Sequence, residues 1–255
     1  MNWIDTHTHL YLDQFKENID EFLERCDQNG VNKLCLPAID KNSFASMMAL
    51  TEKRSDSIFP MIGLHPCSVK ANFQDELDFI ENQLENPNRF IAIGEIGIDL
   101  YWDTTFQEQQ IKAFKKQIEW AKQLDKPIVI HARNSFREIF EVLEEVNDDK
   151  LFGVLHCFTG GKKHAKKAIE LGFKLGIGGV LTFDQGLPNV IKKVDLEHLV
   201  LETDSPFLAP VPHKGETNES SYIPLIAQKV AELKGVSLEE VAAVTTENAQ
   251  KLFGI

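Results

Sequence analysis

The stretch FIAIGEIGID (Phe90–Asp99) decides the fold of this chain. It is an almost continuous apolar run without polar alternation, which is typical of a parallel strand covered on both faces. The carboxylate Glu95 lies in it between Gly94 and Gly97. Glycines there permit close backbone approach to an ion or a ligand. The stretch therefore predicts a buried strand that carries a functional carboxylate near its end.

Further apolar runs of strand length occur along the chain, with helical patterns between them. The eight candidate strands are Trp3–Asp5, Lys33–Ala38, Ile58–Leu64, Phe90–Ile98, Pro127–His131, Phe152–His156, Phe173–Gly178 and His198–Glu202. The helical spacing is clearest in Phe15, Ile19, Phe22, Leu23 and Cys26, which recur on one face of a helix. Repeated strand–helix alternation predicts an α/β fold, a (β/α)8 barrel with its site on the C-terminal face.

An open doubly wound sheet is the alternative arrangement of the same elements. It is disfavoured because GEIG and GIGG lack the G-x-G-x-x-G spacing of a phosphate loop. The length of 255 residues suits one α/β barrel, since such barrels run to about 250 residues. We expect a single domain over residues 1–255, with the long loop Pro206–Ser221 overhanging the site.

Charge and cysteine content narrow the class of protein. A net charge of −12 argues against a general nucleic-acid coat but leaves a nuclease possible. The four cysteines are Cys26, Cys35, Cys67 and Cys157, and they form no zinc-finger or C-x-x-C spacing. We expect reduced thiols in a cytoplasmic protein, with Cys157 pointing away from the site. No apolar run of membrane length and no signal-like N-terminus is present, and no obligate protein partner is evident.

Side chains of metal-ligand type lie near the ends of these strands. They are His7, His9, Glu95, His131, His156 and Asp204. His7 and His9 share a face because they are two residues apart, and barrel closure would bring Asp204 beside them. His131 and His156 end the strands that follow the Glu95 strand and could hold a second cation with it. The pattern predicts two divalent cations bridged by Glu95.

Other polar groups at strand ends have candidate roles in catalysis and substrate binding. Asp204 can take a proton from an attacking water. Glu202 either supports a ligand or pairs with a cation inside the barrel. His65 either orients a substrate phosphate or serves as a further ligand. Arg133 either binds a phosphate bidentately or forms a salt bridge at the barrel rim.

Lysines and aromatics after the strand ends admit two interpretations. The lysines are Lys162, Lys163, Lys166 and Lys167, and they form either a solvated helix face or a nucleic-acid contact. The aromatics are Tyr101, Trp102, Phe158, Phe183 and Phe207. They either stack on splayed bases or pack within the protein.

Over essentially its whole length the chain resembles the TatD family of metal-dependent hydrolases, within the amidohydrolase-like barrels. The motifs that carry the resemblance are DTHTHL (Asp5–Leu10), GLHP (Gly63–Pro66), GEIGID (Gly94–Asp99), IHAR (Ile130–Arg133), LHCFTG (Leu155–Gly160) and ETDSPFLAP (Glu202–Pro210). The resemblance implies a barrel with two or more divalent cations on the six ligand positions named above. It also implies deoxyribonuclease activity, including 3′–5′ exonuclease action on DNA.

These observations leave three hypotheses for function. The first is a phosphodiesterase that cleaves DNA by two-metal activation of water with Mg²⁺, Mn²⁺ or Zn²⁺. The second is a hydrolase of another ester or amide, for example an aminoacyl-tRNA deacylase; the absence of lysine from Phe90–Asp99 disfavours amidases that use a carbamylated lysine. The third, a non-catalytic binding module, is disfavoured because no ligand position is lost.

Overall fold

Eight parallel strands form the wall of a (β/α)8 barrel in the computed structural model, which describes residues 1–255. They are β1 (Trp3–Asp5), β2 (Val31–Leu36), β3 (Ile58–Pro60), β4 (Ile93–Asp99), β5 (Ile128–Arg133), β6 (Gly153–Leu155), β7 (Phe173–Ile177) and β8 (Leu199–Leu201). Each matches a predicted strand. The largest difference is in β3, which ends at Pro60. Beyond it the chain stops pairing with β2 and pairs instead with the segment before β4, where the Ile62 N–H donates to the Ala92 carbonyl.

The barrel closes through two isolated parallel bridges between its two ladders, β1 to β3 and β4 to β8. Ile62 bridges to Ile93 on one side, and Thr8 bridges to Ser205 on the other. Beside the second bridge the Asp204 N–H donates to the His7 carbonyl at 2.9 Å. Closure excludes the open doubly wound sheet and places the segment after β8 against the segment after β1.

Helices cover the outside of the barrel. They are α1 (Ile19–Gln28), α2 (Lys41–Lys53), α3 (Phe73–Gln83), α4 (Gln107–Leu124), α5 (Phe136–Val146), α6 (Lys162–Glu170), α7 (Leu187–Ile191), α8 (Ile223–Lys234) and α9 (Leu238–Phe253). Phe15 precedes α1 in a separate turn, although it is buried as expected. Ser237 caps α9 by accepting from the Glu240 N–H at 3.1 Å. None of these helices is long and apolar enough to cross a membrane.

Apolar packing leaves only one end of the barrel free for polar groups. The main core lies between the strands and the surrounding helices. A second cluster takes side chains from most strands, including Ile4, Val129, Val154 and Val200, and packs them with Phe253 of α9. The buried histidines and carboxylates therefore gather beyond the C-terminal ends of the strands, where the barrel is open.

Candidate metal centre

A cavity of about 590 Å³ opens at the C-terminal ends of the strands. Glu95, His131, His156 and Asp204 are among the side chains that line it. The loop Pro206–Ser221 contributes Phe207 and Leu208 to the wall, so this loop overhangs the cavity as predicted. The polar floor and the apolar wall make this the candidate functional site.

Glu95 lies at the centre of the floor, and its two oxygens face different groups of imidazoles, with His65 as a third neighbour of Oε1 at 3.3 Å. Oε2 lies 3.1 Å from His7 Nε2 and 3.5 Å from His9 Nε2. Oε1 lies 2.8 Å from His131 Nδ1 and 2.9 Å from His156 Nε2. The structure thus brings these five predicted residues together in the two groups that the sequence suggested.

Asp204 joins the first of these groups. Its Oδ1 lies 3.7 Å from Nε2 of both His7 and His9. The residue follows β8 in the left-handed region, with φ of 57°, a conformation that aspartate tolerates better than most residues. Burial raises the pKa of its carboxyl group to about 6.

Opposite charges compensate one another on the buried floor. Burial by itself would raise the pKa of Glu95, but the imidazoles of His156, His65 and His7 hold it well below its usual value. Burial would likewise lower the pKa of His156, but the Glu95 and Glu202 carboxylates outweigh it and raise that pKa well above the usual value. Because a ligating imidazole must be neutral, a cation that binds here has to displace this proton.

The donor set fits divalent cations. His7 Nε2 and His9 Nε2 lie only 3.2 Å apart, and one ligand atom from each of His7, His9 and Glu95 lies within 4.8 Å of the others. His7 Nδ1 is buried without a hydrogen-bond partner, and His156 Nδ1 makes no hydrogen bond although the Glu202 carboxylate lies 3.4 Å away. Imidazoles suit Zn²⁺ and carboxylates suit Mg²⁺ or Mn²⁺, so these residues can hold metal of more than one kind.

His65 differs from the other imidazoles in its hydrogen bonding. Its Nδ1 accepts from the Cys67 N–H at 3.0 Å, and its Nε2 lies 3.3 Å from Glu95 Oε1. A neutral ring that accepts at Nδ1 carries its proton on Nε2. In that state Nε2 is a donor toward a substrate oxygen, but one ligand atom from each of His65, Glu95 and His131 also lies within 4.8 Å of the others, so both roles of His65 fit the geometry.

Gly97 allows β4 to lie close against β5 at His131. It has φ of 145°, and a side chain there would overlap the carbonyl of His131. Only glycine combines that backbone conformation with so little space. The glycines beside Glu95 were expected to admit an ion or a ligand, but the neighbour that requires Gly97 is the β5 backbone at His131.

Asp99 is a site residue that the sequence analysis missed. Its Oδ2 lies 2.8 Å from His131 Nε2, the ring atom that faces away from Glu95. Its Oδ1 accepts from the backbone N–H groups of Tyr101 and Trp102, at 2.9 and 3.2 Å. These bonds outweigh burial and hold the pKa of Asp99 well below its usual value. Its position four residues after Glu95, on the same face of β4, was the signal.

Glu202 stands behind His156 rather than beside a lysine or arginine. Its Oε1 lies 3.4 Å from His156 Nδ1 and also accepts from the Cys157 N–H. Outer carboxylates of this kind orient ligating histidines. The structure therefore favours support of a ligand over an ion pair inside the barrel.

The expectation for Cys157 was wrong, because its side chain lines the cavity. The strand alternation on which that expectation rested ends at Leu155, and Cys157 takes φ of 43° in the turn that follows. Burial raises the pKa of its thiol well above the usual value. A thiol held neutral in this way is a poor nucleophile.

Arg133 forms no salt bridge at the barrel rim and instead stacks on aromatic rings. Its guanidinium carbon lies 3.9 Å from the centroid of Tyr101 and 5.0 Å from that of Trp102. Both rings are exposed at the mouth of the cavity, as is Phe207, whereas Phe158 packs in the core. Phe183 is half-buried, with Lys214 Nζ 4.4 Å from its ring centroid. The five candidate aromatics therefore include exposed rim residues, one half-buried residue and one core residue.

The lysine cluster is partly neutralised. Lys166 lies 3.6 Å from Glu170, and Lys167 pairs with Glu144. Lys162 and Lys163, at the start of α6, are exposed and form no ion pair. Much of the cluster therefore behaves as a solvated helix face.

Comparisons with known proteins agree over nearly the whole chain. The family described as "TatD related DNase" matches residues 4–254. The metal-dependent hydrolase YabD of Bacillus subtilis, itself uncharacterized, is 35% identical over 98% of each chain. The crystal structure of YjjV, a TatD homolog from Escherichia coli, superposes with a TM-score of 0.92 at 29% identity, covering 99% of this chain and 98% of that one. A TatD family hydrolase from Entamoeba histolytica shares the fold, with a TM-score of 0.88 at 23% identity over 99% and 98% of the two chains.

Proposed function

We propose that this chain, which belongs to the TatD family of metal-dependent hydrolases, is a deoxyribonuclease that removes nucleotides from the 3′ end of DNA. The observation that carries the proposal is the placement of Glu95, whose two oxygens face two separate groups of imidazoles. Such a carboxylate suits two cations on one reacting phosphate. The 3′ to 5′ direction is what the family resemblance implies.

Two groups of residues would hold the cations. His7, His9 and Asp204 would bind one, His131 and His156 would bind the other, and Glu95 would bridge them. Divalent cations supply Lewis-acid stabilisation of phosphate charge and a nucleophilic water near neutral pH. Geometry, charge and burial of the six side chains fit that chemistry.

The remaining steps belong to side chains of this protein. Asp204 lies at the edge of the floor and accepts the proton of the attacking water. The Nε2–H of His65 donates to a non-bridging phosphate oxygen. Arg133, held at the mouth without an ion-pair partner, attracts the next phosphate of the strand.

The depth of the site favours a strand end over the middle of a duplex. His7 is fully buried and Glu95 nearly so, beneath walls that include Trp102 and Phe207. The rigid bulk of an intact double helix would meet the rim before one of its internal phosphodiesters reached this floor. A single-stranded or frayed end can enter, which agrees with exonuclease action.

The test is a time course of cleavage of single- and double-stranded DNA labelled at either end, with Mg²⁺, Mn²⁺ or Zn²⁺ added to metal-free protein. We expect mononucleotides to be released from the 3′ end. Glu95→Gln keeps the shape of the side chain but removes the bridging charge, so its hydrolysis should be lost with the fold retained. Glu170→Gln removes one exposed carboxylate far from the cavity and serves as the matched control.

Hydrolysis of aminoacyl-tRNA is the competing outcome of the same assay. If aminoacyl-tRNA is deacylated while DNA remains intact with every metal, the deoxyribonuclease assignment is refuted. Full activity of Glu95→Gln on DNA would refute the assigned role of the bridging carboxylate.

A further inference from the structure

The mouth of the cavity carries a stack of flat side chains that the chemistry of the floor does not require. Tyr101 and Trp102 pack edge to face, with ring centroids 4.8 Å apart. Arg133 lies over both rings, 3.9 Å from the first and 5.0 Å from the second. The three side chains form one preformed element at the rim.

Trp102 is the exposed member of this stack. It is 69% exposed, and it is one of the side chains that line the cavity. An indole left this open to water loses the favourable free energy that burial of its apolar surface would give. Stacking against the face of an aromatic ligand would recover part of that energy.

The loop that carries Trp102 is fixed rather than free. Asp99 accepts from the N–H groups of Tyr101 and Trp102 at 2.9 and 3.2 Å, and the same carboxylate holds His131 at 2.8 Å. The backbone that carries the indole is thereby tied to the floor through one side chain. A ligand that stacks on Trp102 would lie at the cavity that Glu95 also lines.

We propose that Trp102, supported by Tyr101 and Arg133, is a stacking subsite for the nucleobase of the terminal nucleotide. This inference rests on the proposed function and adds to it the recognition of a base-bearing, unpaired end. Every base has a π face, so the subsite is tolerant of sequence. A base paired in a duplex is already stacked, so it must leave the helix to reach Trp102.

The kinetic test compares two oligonucleotides that differ only at the 3′-terminal residue, one with its base and one with an abasic tetrahydrofuran. Base–aromatic stacking corresponds to about a five- to 150-fold difference in affinity. We therefore expect the wild-type KM for the base-bearing oligonucleotide to be lower than that for the abasic one by about that factor. In Trp102→Ala the ratio of the two KM values should fall to near one. Trp102→Phe keeps a flat ring and should retain much of the ratio. An unchanged ratio in Trp102→Ala overturns the proposal.

A binding test separates this subsite from hydrolysis. Trp3 and Trp120 are only 2% and 4% exposed, so Trp102 is the tryptophan whose emission a ligand can quench by contact. Titration of metal-free protein with a single-stranded oligonucleotide should quench this emission, and Trp102→Phe should abolish the quenching. If wild type binds the oligonucleotide without quenching, or does not bind it, the stacking subsite is refuted. Quenching without cleavage under any metal would instead retain the subsite and refute the nuclease assignment.

Discussion

Gly176→Ala should destabilise the protein because the added methyl group displaces the Glu202 carboxylate, which supports His156. A Cβ atom at Gly176 of β7 would lie 2.7 Å from Glu202 Cδ, closer still to Glu202 Oε2, and 3.1 Å from His156 Cα. Overpacking of this kind costs about 1–3 kcal/mol. For a chain of this size each kcal/mol lowers Tm by about 2–4 °C, so we expect a fall in Tm of about 2–12 °C.

Gly178→Ala is the matched control, two residues along the same segment. The nearest atom to its added Cβ would be the Glu202 carbonyl oxygen at 3.6 Å, an ordinary contact. Its backbone, with φ of −113°, suits alanine. The free energy of unfolding of the control should equal that of the wild type or exceed it by up to about 1 kcal/mol, because alanine lowers the entropy of the unfolded chain.

Urea unfolding of the metal-free proteins, followed by circular dichroism, measures these differences without any contribution from the cation. In a Glu202→Ala background the added methyl group has room, so the cost of Gly176→Ala should fall by at least about 0.5 kcal/mol. If Gly176→Ala and Gly178→Ala are equally stable, or if the cost is unchanged in that background, the steric reasoning is wrong. Titration calorimetry of Gly176→Ala should also show about 10- to 100-fold weaker metal binding.

Three further predictions concern the support of the site. Asp99→Asn should lower metal affinity or kcat by about 10- to 100-fold with the circular dichroism spectrum retained, because a charged partner that orients a ligand is lost; unaltered metal binding and kcat would contradict that role. A cation at 100 times its Kd should add about 2.7 kcal/mol of stability, so chelation should lower Tm, and identical Tm values would argue against a metal centre. Arg25→Ala should cost about 1.5–3 kcal/mol in urea unfolding, because the buried Glu219, 2.6 Å from Arg25, loses its partner. The exposed Arg137→Ala should cost much less, because a solvent-exposed ion pair contributes little to stability, and equal losses would refute the argument from burial.

The strands and the family were predictable from the sequence for a local reason. A parallel strand in a barrel is covered on both faces, so it appears as a short apolar run, and eight such runs are present. The (β/α)8 fold and the TatD family are confirmed by the matches to the family and to solved structures. The chain is a metal-dependent hydrolase, as the sequence indicated, while its action on DNA stays a prediction.

Some features of the site were not predictable because they depend on turns and on distant packing. Cys157 was expected to face away, but a left-handed turn directs it into the cavity. Arg133 was a candidate for a salt bridge at the rim, but two aromatic rings from the neighbouring strand's loop lie beneath it. Periodicity describes a strand only while the strand lasts, and these residues lie at or beyond its end.

The sequence alone determined which side chains are available for metal chemistry and where they lie along the chain, because strand periodicity and strand ends are local properties. Only the tertiary structure decided how these side chains meet. Closure of the barrel sets Asp204 against His7 and His9, and the pairing of β4 with β5 sets Glu95 against His131. The two Glu95 oxygens face separate groups of imidazoles because of both contacts. Residues far apart in the chain come within 4 Å only when the strands that carry them lie side by side.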